Sequence, residues 1–487
     1  MINQKIILYY VIFSWIGLWA SLGSNPYDFL FILEKEGNLF SILVNMNFSQ
    51  AINFLRSIFI PLSLVISFVI LIQFKEVKID NLILILIFIQ FSQLVSTFLS
   101  SYSKISELES NIDHIGRYFW VISSLSALAI YQISCKLGKI GDKIIFTISA
   151  IFLILITFFF SYKILGDFIT LPAEKSVYHL SKFRDSAFFL IHEIPRITGL
   201  SRTLLFLYII SLFYKSNFEI YNNLIRNIFL IIFGSLLILY QSKFGVISFI
   251  LLNVIYIFIQ GPKVKTIKFI FTLLFFQLLL IFIILGIKFL YNKNISNYSN
   301  INKVEKYTLD ENILERIHET KETKTISEFN FLRRFPLPSN IERESKFPLF
   351  ARLDGIIFSG RVELWFETVK FAIERPILGY GSMADRVFLN YQKEGKKKFI
   401  EPVSNAYIYA FVTGGIPSLF LILYFWKILI HRNILFFRKK TTFTNENKIG
   451  YMIILFIFLR TIIENSMMLF GIDFILLISA ITFIKQK

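Results

Sequence analysis

An all-α, polytopic membrane protein is the fold class this sequence predicts, and three observations predict it. Hydrophobic residues make up 55% of 487 residues and the mean hydropathy is +0.63, far too apolar for a soluble domain. The apolar runs are long and unbroken, whereas the strands of a membrane barrel would alternate with period two over about ten residues. Lys and Arg gather in alternate short loops between those runs, the pattern that orients membrane helices.

At about 20 apolar residues per crossing, spans are expected at residues 5–23, 55–74, 81–99, 116–134, 143–161, 201–215, 224–241, 244–260, 267–290, 404–430, 449–465 and 467–484. That makes about twelve. Two pairs share almost no loop, one around Lys243 and one around Asn465. The first run has no small-residue cleavage site behind it and is read as a retained helix. Residues 1–290 thus form a first helical block and residues 404–487 a second, separated by a long polar segment at 291–403.

Orientation follows from charge. Lys75 and Lys78, Lys136, Lys139 and Lys143, Lys263, Lys265 and Lys268, Arg438 to Lys440, and Lys485 with Lys487 fall on one side of the weave. That side is cytoplasmic by the positive-inside rule, with both termini inside and segment 291–403 outside. The net charge of +18 could suggest nucleic acid, but its distribution through short loops reads first as an orientation signal. A single thiol, Cys135, excludes an intrachain disulfide and a thiolate metal cluster. No solenoid repeat is present.

The outer segment has two halves. Residues 292–345 are rich in Asn, Lys, Glu and Ser, which predicts a solvated loop carrying one helix around 309–334, with 295–302 as plain loop. Between 360 and 375 the pattern changes: Val362, Trp365, Phe366, Val369, Ala372 and Ile373 recur at helical spacing. This predicts an amphipathic helix capped by Ser359 or Gly360, stopped before Pro376, with its apolar face on the bilayer or the span tops. The Gly379-Tyr380-Gly381 stretch matches a dinucleotide pattern only superficially, because no strand precedes it; its glycines are read as letting the chain turn and approach the membrane closely. Gly414-Gly415-Ile416-Pro417 predicts a kink in the span that follows, tolerated where neighbours satisfy the freed backbone groups.

Chemistry points to cations. Arg117, Arg196, Arg202, Lys243, Arg361 and Arg460 sit at outer span ends or outer loops, where the inside-positive bias would not place them. A cation inside the hydrocarbon costs about 2.5–3.5 kcal/mol on insertion scales, so it faces a cavity or a partner. Singly, each is equally well a side chain snorkelling to headgroups; together they suggest a site for an anion such as a lipid-linked diphosphate. Arg361 in a first helical turn opposes the helix dipole unless an anion sits there, or unless Asp354 or Glu363 pairs with it. Arg460 and Glu464, four apart, read first as a structural pair. Glu363 and Glu464 are the carboxylates to test as general base, and His192 is the histidine nearest the cations in sequence. The other histidines lack ligand spacing, so neither a metal nor another cofactor is expected. The Lys396 to Lys398 run is a solvated tip or an attraction to anionic headgroups.

These residues resemble the bacterial O-antigen polymerase (Wzy) and O-antigen ligase superfamily of membrane glycosyltransferases. The resemblance rests on Ser359-Gly360-Arg361 with Trp365, Pro376 with Gly379 and Gly381, Asn405 with Tyr407, and Gly414-Gly415-Ile416, in that order; about 70 residues match specifically, and the rest of the chain matches only in hydropathy and topology. Weaker echoes are Arg196-Ile197-Thr198-Gly199, Ser242-Lys243 and Arg460 with Glu464. The resemblance implies a GT-C-like, metal-independent transferase in the bacterial inner membrane, with a periplasmic loop, acting on undecaprenyl-diphosphate-linked oligosaccharide. It also implies that outer arginines hold the diphosphate, a role that maps first onto Arg361 and then onto Arg202; Arg196, Lys243, Arg460 and Asn405 are the further candidates for substrate binding. A chain-length regulator and a flippase of the same pathway would be partners. Ligases carry His-Asn before span ten, where this chain has Ser404-Asn405, and the turn often read as Ser-Arg is Ser242-Lys243. Both departures favour a polymerase over a ligase; a transporter of the lipid-linked or anionic substrate, or a non-catalytic scaffold, are the alternatives from other classes.

Overall fold

The computed structural model of the chain describes residues 80–100, 197–213, 219–240, 243–260, 264–299, 361–382, 384–385, 403–438, 444–464 and 472–485, with residue 118 and scattered residues between 150 and 169. Regular structure among the described residues is helical throughout. Its elements are α1 (Asn81–Ser100), α2 (Ile197–Phe213), α3 (Glu219–Tyr240), α4 (Lys243–Gln260), α5 (Val264–Ser299), α6 (Arg361–Glu374), α7 (Ala406–Arg438), α8 (Asn445–Thr461) and α9 (Ile472–Lys485). Four stretches among them are long and apolar enough to cross a membrane: α1, Asn223–Tyr240 of α3, Val264–Tyr291 of α5, and α7. The expected spans at 5–23 and 55–74, and all but single residues of 116–134, lie outside the described residues, as does the expected helix at 309–334.

The burial pattern is that of a membrane protein. On α1 the inward face carries Gln93, Ser96, Thr97 and Ser100, all under 4% exposed, while Phe88, Phe91 and Phe98 point outward. Hydrocarbon is as apolar as a phenylalanine, so nothing drives large apolar side chains inward; packing and hydrogen bonds decide instead. The same logic buries Gln277 on α5, whose Nε2 donates to the Leu230 carbonyl of α3 at 2.9 Å, while Phe271, Phe275 and Phe282 stay exposed. Tyr208 on α2 donates to Asn253 Oδ1 on α4 at 2.8 Å. These bonds tie α2 to α4 and α3 to α5, and a T-shaped contact of Phe206 with Phe456, centroids 5.0 Å apart, joins α2 to α8. Helix α8 packs on α9 at Gly450, where a Cβ would lie 3.0–3.1 Å from Ile484 and Phe483 side-chain atoms and the Ala480 carbonyl.

Three boundaries differ from expectation. Residues 295–299, expected as loop, continue α5, because adding a residue to an existing helix needs no new nucleus and no Gly or Pro intervenes after Gly286. Helix α7 runs on to Arg438 instead of ending near 430. The last two apolar runs do not meet at Asn465: α8 ends at Thr461 and α9 begins at Ile472, leaving 462–471 between them. That earlier stop frees the carbonyls of Ile462 and Ile463, and both are used by the site described below.

Helix α6 ends at Glu374, before Pro376, as its sequence predicts. Thr368 and Ala372 are fully buried, Ala372 packs with Tyr380 and Val412, and Phe371 stacks on Tyr380 with centroids 4.0 Å apart. Phe366 and Ile373, expected on the same apolar face, are 65% and 60% exposed, so only part of that face is covered by protein. After α6 the chain turns back and lies along the middle of α7. There Gly415 breaks the helix, with φ 67° and ψ −163°, two residues before Pro417. The freed backbone groups can be followed one by one. Pro417 has no N–H for the Thr413 carbonyl, which accepts instead from Gly381 N at 3.0 Å; the Val412 carbonyl accepts from Tyr380 N at 2.7 Å; and Ile416 N donates to the Pro376 carbonyl at 2.7 Å. Helix α1 closes the other side: Ser96 Oγ donates to the Leu378 carbonyl, Thr97 Oγ1 accepts from Ser382 N at 2.9 Å, and Gln93 Nε2 donates to Thr413 Oγ1 at 3.1 Å. Kink, loop and α1 are one unit. The kink beside the loop and the tight glycine turn are both present as the sequence implies.

Candidate functional site

Six helix ends meet at one end of the bundle, and side-chain contacts show it. The starts of α2, α4, α6, α7 and α9 converge there with the end of α8. Helix starts expose unpaired N–H groups and helix ends unpaired carbonyls, so this is where backbone polarity must be satisfied by something else.

Asp473, in the first turn of α9 and 1% exposed, is the centre of the arrangement. Its Oδ2 accepts from Arg460 Nε at 2.8 Å, and its Oδ1 lies 3.4 Å from Arg202 Nη1. A carboxylate in a first turn is favoured by the helix dipole, and here it also neutralises one of two buried guanidiniums from α2 and α8. The Arg460 guanidinium lies 6.0 Å from the centroid of the Phe244 ring at the start of α4, and Phe244 packs in turn on Phe456, centroids 5.7 Å apart. A second contact group lies beside this one. Arg361 Nη1 donates to the Ile463 carbonyl at 2.8 Å and is 3.7 Å from Glu464 Oε1. Asn405 caps α7, its Oδ1 accepting from Tyr407 N at 3.0 Å and Ile408 N at 3.1 Å, while its Nδ2 donates to the Ile462 carbonyl at 2.8 Å. Arg361 and Asn405 thereby close the carbonyl end of α8.

Between these groups lies a small cleft lined by Ser201, Arg202, Leu205, Phe244, Gly245, Arg460, Ile463 and Glu464. Its walls carry two guanidiniums and one carboxylate. Counting Arg202, Arg361 and Arg460 against Asp473 and Glu464, the described side chains of the cluster hold three positive and two negative charges, one positive charge in surplus. Donors are left over as well. Ser201 Oγ, Arg202 Nε and Arg361 Nε are buried and have no hydrogen-bond partner among the described residues. A buried donor without a partner costs about 1–3 kcal/mol, more if charged, and an anion in the cleft would remove that cost. The arrangement is chemically suited to receive an oxyanion.

The expected site residues fare differently. Arg202, Arg361, Arg460, Glu464 and Asn405 come together, although they stand as far apart in sequence as the first and last helices of this group. Arg460 and Glu464, read first as a pair with each other, line the same cleft, and their direct ion-pair contacts are with Asp473 and Arg361 respectively. Lys243 is the first residue of α4, next to the Phe244 that lines the cleft; its side chain lies outside the described atoms. Of Arg361's two expected partners, Asp354 lies outside the described residues and Glu363 is described only as helix backbone. His192 and Arg196, and the lysine run at 396–398, also lie outside. Sequence reasoning overlooked Asp473 and Ser201. The signal for Asp473 was available: an acid inside an apolar run requires a partner. Ser201 gave no such signal, because a serine in a membrane helix is ordinary.

Residues 228–423 match the family model described as O-antigen ligase, Wzy_C. The matched stretch holds the loop on the α7 kink and Arg361, while Arg202, Arg460, Glu464 and Asp473 fall outside it. No curated protein and no solved structure matches the chain. The family match, together with the ordered motifs inside it, supports membership of this chain in the O-antigen ligase and polymerase superfamily.

Proposed function

We propose that the chain is a glycosyltransferase that extends a cell-surface polysaccharide from lipid-linked repeat units. In full, the reading is a GT-C-like protein of about twelve spans in the inner membrane, with termini in the cytoplasm and segment 291–403 in the periplasm. The observation that carries it is the cleft between Arg202 and Arg460, with its surplus of positive charge and unpartnered donors. The family match supports activity of the O-antigen ligase or polymerase type.

In the reaction an acceptor sugar hydroxyl attacks the anomeric carbon of the donor glycan. The bond from that carbon to the phosphate oxygen breaks, and undecaprenyl diphosphate leaves with the electron pair. Negative charge grows on the leaving group, and guanidiniums fixed in a partly buried cleft stabilise it without reorganising. The acceptor proton passes to a base. Glu464, which lines the cleft, is the first candidate; Glu363 and His192 are the others. Arg361 and Asn405 position the end of α8 that carries Glu464.

Ligase is the second reading, favoured by the printed description of the family model. Ser404 argues against it, standing where ligases carry histidine. Purified protein given a lipid-linked repeat unit separates the two. A ladder of lipid-linked products is expected; one transfer onto a different acceptor, with no ladder, would replace polymerase by ligase. Arg460→Gln and Arg202→Gln should each lower the rate at least tenfold, the scale for removing one preorganised charged donor being about 100-fold or more. Activity unchanged in both would end the reading of this cleft as the donor site.

A further inference from the structure

Hydroxyls on the membrane helices of this protein have a habit, and Ser201 breaks it. Ser92, Thr97, Thr413 and Thr482 each donate back to a carbonyl three or four residues earlier, the ordinary resting state of such groups in apolar surroundings. Ser201 Oγ makes no hydrogen bond to any described residue, although the residue is 1% exposed. Thr157, Ser248, Ser418 and Ser479 share that condition, but among these hydroxyls only Ser201 lines the arginine cleft. It stands beside Arg202, whose Nε is also buried and bonds to no described residue, while Asp473 lies against another edge of that guanidinium.

We propose that the Ser201 hydroxyl is a binding residue that donates to a phosphate oxygen of the bound diphosphate, next to Arg202 Nε. The proposal rests on the glycosyl-transfer reading only for the identity of the anion. Geometry supplies the rest: two adjacent residues of one helix turn offer one neutral and one charged donor to the same small cleft. A hydroxyl is suited to this place because a third guanidinium there would have no buried carboxylate left to neutralise it. It also adds a directional bond, and a neighbouring anion is the acceptor a buried donor most favours.

The test uses the full-length protein in detergent, titrated with inorganic pyrophosphate and read by calorimetry and by the rise in melting temperature. Wild type should bind, and Ser201→Ala should weaken binding about tenfold or more, the value of a hydrogen bond to a charged partner. Ser248→Ala removes another buried hydroxyl that bonds to no described residue and does not line the cleft, and it should bind as wild type does. Equal affinity in Ser201→Ala, or an equal loss in Ser248→Ala, overturns the proposal. A polyprenyl diphosphate in micelles should displace pyrophosphate, which assigns the anion to a lipid headgroup. If only orthophosphate displaces it, Ser201 keeps its role at a site for free phosphate and the donor-lipid reading falls. If wild type extends lipid-linked glycan yet binds pyrophosphate no better than Ser201→Ala does, the transfer reading stands and this one falls.

Discussion

Asp473 shows how much one side chain can decide. It holds Arg202 and Arg460 at 3.4 and 2.8 Å, and both arginines are about nine-tenths buried. Removing the carboxylate leaves two like charges without their buried partner, and breaking a buried pair from one side costs about 3–5 kcal/mol. Asp473→Ala should therefore lower the melting temperature in detergent sharply. Combining it with Arg460→Ala should cost less than the two single changes added together, because each single variant strands a charge that the double one removes. Additive losses in that cycle would mean the contact contributes nothing. The Arg202→Lys variant tests geometry apart from charge. Lysine retains the positive charge but not the planar fork that faces Asp473 with one edge and the cleft with the other, so folding should persist while transfer falls.

Between elements, the decisive contact is backbone against backbone. The loop after α6 supplies the donors and the acceptor that the broken turn of α7 lacks, so loop and kink specify each other. Two glycines make that approach possible. At Gly415, φ is +67° and a Cβ would lie 2.2 Å from the Ile377 carbonyl oxygen; at Gly379, φ is also +67° and a Cβ would lie 2.6 Å from the Val412 oxygen. A left-handed residue costs about 1–2 kcal/mol outside glycine, and forcing an atom into packed backbone adds about 1–3 kcal/mol. Gly415→Ala and Gly379→Ala should each destabilise by about 2–5 kcal/mol on those two grounds, read as lost thermal stability of the purified protein. Gly286→Ala is the control, since nothing lies within 4 Å of a Cβ there, and it should be neutral or slightly stabilising. Tyr380 sits within this unit, its ring between Phe371 and the Arg375 guanidinium. Burial first, and then the Glu374 carboxylate, push its phenol up to about 12, so it remains a neutral donor at any working pH. The sequence could announce the kink and the tight turn, because Gly-Gly-x-Pro and Pro-x-x-Gly-x-Gly each have local meaning. That the two bond to one another was not legible, since nothing local in either motif names its partner.

At the scale of the molecule, hydropathy carried the helical class and most of the described spans to within a few residues, because a run long enough to cross is a strong signal. The site was legible only as a set of cations on one side. Which of them share a cleft depends on helix ends, and those are where periodicity speaks least: α8 stops at Thr461, and its end brings Arg361 to Glu464 while Arg460 meets Asp473. The starts of α2, α4, α7 and α9 share the cleft end, which is what alternate spans of a weave beginning on one side would do. Which side that is decides the chemistry, since a donor displayed on a lipid carrier outside the cell cannot be met from within. On the proposed topology the cleft end faces outward and residues 439–443 lie inward. One native thiol, Cys135, makes this testable by replacement. In a Cys135→Ser background, Lys397→Cys should react with a membrane-impermeant maleimide in cells whose outer membrane alone has been permeabilised. Lys439→Cys should react only after the inner membrane is also opened. The reverse pattern would turn the arginine cleft toward the cytoplasm, where the acceptor and donor of an extracellular polymer are not presented, and the transfer proposed for it would have no substrate to act on.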